Sequence, residues 1–120
     1  MNKYQAINKF WNQFGVKAYD ETTVPDDVEL PYITYSVSTS DFDNMVVGSA
    51  SIWDRSTSWN RVTEIEQSIN NVMSKGGSMI SYDGGGLWIV KGNPWSQRLS
   101  NDSNRDIRRI VLSVTMEFME

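Results

Sequence analysis

Apolar positions recur along this chain in two distinct periods. Tyr4, Ile7, Phe10, Trp11 and Phe14 repeat at the spacing that lines one face of an α-helix. Asn2 with Gln5 three residues on forms a capping-box pattern at the start, and Gly15 suits the left-handed residue that closes such a helix. Val62, Ile65, Ile69, Val72 and Met73 make a second helical stripe, with Ser58 placed to cap it, Lys75 in its last turn and Gly76-Gly77 ending it. The other period is two. Tyr32 to Val37 alternates and is rich in strand formers, and a second strand over about Met45 to Thr57 follows the turn Ser40–Asn44, with Gly48 and its small neighbours indicating a bend or bulge. Ser78–Tyr82 and Leu87–Lys91 read as short strands joined through Asp83-Gly84-Gly85-Gly86. In the last strand Ile110, Leu112, Val114, Met116 and Phe118 share one face, and Arg109, Ser113, Thr115 and Glu117 share the other.

Two stretches lack either period. Val16 to Pro31 is polar, acidic and punctuated by Pro25 and Pro31; it reads as an extended arm with room for one short strand, either a surface loop or a segment that orders against a neighbour. Gly92 to Asn104, with Pro94-Trp95-Ser96-Gln97-Arg98 inside it, reads as a second long loop. The predicted order is α-β-β-α-β-β-β. Without strand–helix–strand alternation, this implies an α+β domain, a mostly antiparallel sheet with two helices on one face. The 120 residues suit one domain, 1–120.

Composition narrows the chemistry. The chain has no Cys and no His, which removes thiol nucleophiles, disulfides, the commonest general base and the commonest transition-metal ligands. The net charge is -4, unlike a free-standing nucleic-acid binder with its high pI. No targeting segment and no run of membrane-spanning length is visible, so a soluble protein that stays in the cell where it is made is expected. Gly84-Gly85-Gly86 lacks the Lys and Ser/Thr of a phosphate loop and sits between strands, where a turn is the better reading. Asp26-Asp27 and Asp41/Asp43 do not carry the ligand spacing of a calcium loop. No catalytic residue, metal site or cofactor is expected.

The tryptophans remain. Trp11 belongs to the first helical stripe, and core packing is the preferred reading for Trp88 and Trp59. Trp53 and, above all, Trp95 with Gln97 and Arg98 are the interface candidates, because aromatic and Arg side chains dominate protein contacts. The arm residues Asp26, Asp27 and Glu29 offer the complementary charge for a head-to-tail contact.

The order of elements resembles that of tail terminator proteins of long-tailed bacteriophages, which also appear as tail-completion or minor capsid proteins. The matching features are the N-terminal amphipathic helix, the Pro-bearing acidic arm, Pro31-Tyr32-Ile33-Thr34-Tyr35 opening the first core strand, the hairpin after the second helix, Trp95-Ser96-Gln97-Arg98, and the long strand from Arg108 to Phe118. The resemblance implies a non-enzymatic, six-fold ring at the head-proximal end of the tail. Its partners would be further copies of itself, the tail tube protein and the head–tail connector, with the genome DNA passing through the lumen. It would reside in the virion after assembly in the bacterial cytoplasm. A head–tail neck component is the nearest alternative, and a small-ligand or nucleic-acid-binding domain the alternative of another class.

Overall fold

In the computed structural model, residues 1–37, 45–99 and 106–119 are described. The expected turn at Ser40–Asn44 and the polar stretch Ser100–Asn104 lie outside them. Helix α1, Lys3–Trp11, opens on a complete capping box: the Asn2 side chain accepts from the Gln5 N–H, and the Gln5 side chain accepts from the Asn2 N–H. It buries Ala6, Ile7, Phe10 and Trp11, and Phe14 follows them into the core. Tyr4 lies at the margin of that stripe and is exposed, so Ala6 takes the place expected for it. Phe10 packs edge-on against Trp11 and Phe14, with ring centroids 4.9 and 5.5 Å apart. Helix α2, Asn60–Met73, buries Val62, Ile65, Ile69 and Met73, while Val72 lies partly outside. Ser58 is not its cap. Trp59 occupies the N-cap without a side-chain bond, and the Ser58 hydroxyl accepts from Asn60 N–H one residue further on.

Six strands form one sheet: β1 Lys17–Asp20, β2 Tyr32–Tyr35, β3 Met45–Arg55, β4 Ser78–Tyr82, β5 Gly85–Leu99 and β6 Ile107–Met119, in the order β1-β2-β3-β6-β5-β4. All neighbours are antiparallel except β1 and β2. The fold is thus α+β with a mostly antiparallel sheet, and β1 is the short strand for which the acidic arm left room. The alternation expected of β6 holds: Ile110, Leu112, Val114, Met116 and Phe118 are buried and join Ile33, Ala50, Ile52, Leu87 and Ile89 under the two helices. Burial of side chains of this size contributes about 1.5–3 kcal/mol each.

Three expectations are corrected. Gly48 makes no bend; it pairs in regular register with Val114, and a Cβ there would come within 2.8 Å of the Met116 methyl, so the glycine makes room for Met116. The turn between β4 and β5 is the pair Asp83-Gly84 alone, since Tyr82 already pairs with Gly85. The segment Gly92–Leu99 is strand, not loop, because β5 resumes pairing with β6 at Ser96–Leu112 after an irregularity beyond Lys91. The Leu30–Pro31 and Asn93–Pro94 peptide bonds are cis.

Strand β1 lies at the rim of the sheet, where unpaired backbone groups invite another chain. Asn12 closes it. Its side-chain oxygen accepts from Ala18 N–H at 3.0 Å and its amide donates to Ala18 O at 3.2 Å, while Thr23 N–H donates to Asp20 O at 2.9 Å.

Candidate interaction surface

Strand pairing gathers the arginines. The sequence has six, at positions 55, 61, 98, 105, 108 and 109, and Arg105 lies outside the described residues. Asp54 pairs with Arg108, Arg55 with Ile107, Trp53 with Arg109, and Leu99 with Arg109, so the end of β3, the end of β5 and the start of β6 meet at one pole of the sheet. Helix α2 begins at the same pole and adds Arg61, whose guanidinium stands 3.7 Å from the buried Asp54 carboxylate. The five lysines are at positions 3, 9, 17, 75 and 91, and of these Lys17 falls in the strand row of Arg109.

Two tryptophans carry three of these guanidiniums. With no cap to make, Trp59 presents its ring to Arg98 at 4.8 Å and to Arg108 at 5.4 Å. Arg108 also donates to Thr57 O at 3.1 Å. On the other face of the sheet Arg109 lies 4.4 Å over Trp53 and donates to the Ser51 hydroxyl, while the Trp53 indole donates to Thr34 at 2.9 Å. Stacking leaves the in-plane N–H groups of a guanidinium able to take a carboxylate or phosphate in a fork.

The nominated interface residues are not brought together as one patch. Trp95 faces α2, half-buried, and its indole donates to Glu66 at 2.8 Å with Lys91 5.3 Å over the ring. Arg98 is exposed on that same face of β5, whereas Gln97 and Trp53 belong to the opposite, helix-free face. Asp26, Asp27 and Glu29 are all exposed and lie at the β1 side. Asp27 and Glu29 line an open cleft of about 990 Å³ together with Lys17, Arg61 and Glu64. Among the described residues no hydrogen bond or ion pair engages the carboxylates of Asp26, Asp27 or Glu29.

The core reading fails for Trp88 and holds for Trp59. Trp88 is not core: Leu87 and Ile89 point to the helices, so Trp88 points away, 39% exposed, its indole donating to Gly76 O at 2.9 Å. Trp59 does pack against the core, and it also carries the two arginines, a role its position before α2 did not disclose. The signal that could have found the pole is the confinement of every arginine to 55–61 and 98–109, two segments that antiparallel pairing superposes.

In the core, burial pushes the Tyr35 hydroxyl's pKa up, the Asn8 amide donating to it at 2.7 Å opposes this, and the Asp20 charge adds to it. Among the described residues no cluster of three or more Asp or Glu side chains could hold a metal ion, and no helix is long and apolar enough to cross a membrane. No protein-family model matches the chain, and no curated protein matches it.

Proposed function

We propose that this chain is a non-enzymatic structural subunit of a long-tailed phage, one that forms a ring on the head-proximal end of the tail tube, ends tube growth and joins tail to head. The observation that carries the reading is an exposed arginine at the end of β5 and a separate exposed acidic arm on one subunit. Arg98 lies near the end of β5, while the Asp26–Glu29 arm connects β1 to β2 and borders the α2 cleft, and a subunit with two different patches is what a head-to-tail ring requires. The sequence resemblance to tail terminators supplies the place in the particle. A head–tail neck component, which shares the assembly role, is the second reading. A small-ligand or nucleic-acid-binding domain is a weaker one, since the cleft beside the arm is lined by both signs of charge and the whole chain is acidic. The subunit would work in the virion, with the tail tube protein and connector as partners and DNA only traversing the lumen.

The test is to delete the gene in the phage that encodes this chain and measure tails by electron microscopy. Overlong tails without heads are expected. Normal-length tails that fail to join heads would move the assignment to the neck, and intact virions would overturn both.

A further inference from the structure

Arg98 and the point where the acidic arm enters β2 are at the same end of the sheet. Strand registers run in unbroken rows from one edge to the other: Arg98–Ile110–Ile52–Ile33–Ala18 is one, and Leu99–Arg109–Trp53–Tyr32–Lys17 is the next. The arm ends at Pro31, immediately before Tyr32, so Glu29 and its neighbours continue from the row that holds Leu99 and Arg109. Between β1 and β5 lie four strand spacings, roughly 19 Å at about 4.8 Å each. Arg98 and the acidic arm are complementary in charge, and among the described residues no ion pair joins them. Among the described residues the three arm carboxylates make no ion pair, and the Arg98 guanidinium lies 4.8 Å over the Trp59 ring.

We infer that the Arg98 guanidinium, held on Trp59 beside Arg108, is the docking site for the Asp26-Asp27-Glu29 arm of a second copy of this chain. This rests on the ring reading and specifies its lateral contact. It also replaces Trp95 by Trp59 as the aromatic anchor, because the Trp95 indole is already bonded to Glu66. Two different patches in contact make a head-to-tail association, which gives a ring where the rotation between copies closes. Stacked arginines suit carboxylates as planar forks. Phosphates would fit the same forks, but here the carboxylates are supplied by the chain itself. An acidic protein repels a polyanion at long range, whereas the arm approaches as a short segment.

The test is a charge exchange followed by sedimentation velocity over a concentration series in low salt. Arg98→Glu reverses one patch on an exposed strand edge, and the triple change Asp26→Lys, Asp27→Lys, Glu29→Lys reverses the other. Wild type is expected to self-associate, with an apparent Kd that rises roughly tenfold when salt goes from about 0.05 to 0.5 M, as screening demands. Each variant alone is expected to stay monomeric, and an equimolar mixture of the two to associate again, since every junction in an alternating assembly regains opposite charges. A wild type that is monomeric at every concentration, variants that associate like wild type, or a mixture that does not recover would each overturn the contact. Binding of a 20-base-pair DNA duplex by wild type and its loss in Arg98→Glu, with no self-association, would reassign the pole to phosphate. Should the contact fail while gene deletion still lengthens tails, the ring reading survives and only its lateral interface is wrong.

Discussion

The indole of Trp95 shows how one side chain changes meaning once its neighbours are known. In a Pro-Trp-Ser-Gln-Arg sequence it resembles an exposed anchor; in the fold it bonds Glu66 and fastens β5 to α2. Trp95→Phe keeps most of the ring and removes the donor, so it should lower stability by about 1 kcal/mol. Trp95→Ala should cost about 2–3 kcal/mol, less than the loss for a fully buried tryptophan because this one is half-buried. Urea midpoints would measure both. An unmoved midpoint in Trp95→Ala, with self-association abolished, would return Trp95 to the interface. Gly77 is the opposite case, a residue with no side chain to read. Its φ is 103°, and an added Cβ would stand 2.3 Å from Ile89 O and 2.9 Å from the Trp88 indole nitrogen. Gly77→Ala should therefore destabilise by about 1–3 kcal/mol, whereas Gly15→Ala, with φ 85° and open space around it, should cost about 1–2 kcal/mol from backbone strain alone.

Among the elements, those with a clean period were legible and those interrupted by special residues were not. The capping box of α1, the stripe of α2 and the alternation of β6 each state their own structure. The second half of β5 does not, because Gly92 and Pro94 interrupt it and proline is barred from central strands. The structure tolerates Pro94 because β4 pairs with β5 only as far as Ile89, leaving the rest of β5 at the sheet edge. The arginine pole was invisible for a related reason: 55–61 and 98–109 converge only once β3, β5 and β6 are paired. β1 had a faint signal in the arm, but its parallel pairing had none, since the partner of its outer edge is the side chain of Asn12. Asn12→Ala should expose Ala18 N–H and C=O. Amide exchange at Ala18 should then quicken at least tenfold, with a global loss of about 1 kcal/mol. Unchanged exchange there would mean that water serves the edge as well as Asn12 does.

At the scale of the whole molecule the described residues form two layers, helices and sheet, and neither helix lies on the second face of the sheet. Val47 sits on that face at 75% exposure, while Ile69 on α2 is fully buried against the other. Val47→Lys should change the denaturation midpoint by no more than about 0.5 kcal/mol, and Ile69→Ala or Phe10→Ala should lower stability by about 2–5 kcal/mol. A large effect at Val47 in a dilute monomer would show that the face is covered in solution.

Asn12 also gives the protein a chemical lifetime. Its amide nitrogen lies within hydrogen-bond reach of three acceptors, Asn8 O at 2.8 Å, Asn8 Oδ1 at 3.1 Å and Ala18 O at 3.2 Å. The residue is exposed, and asparagine is among the residues that heat and time degrade. Hydrolysis to aspartate would replace that donor by a second acceptor and set a carboxylate against three oxygens. One deamidation, a change of a single mass unit, would thus unlatch β1 from α1. An old preparation would lose the rim of its sheet while its core stayed folded.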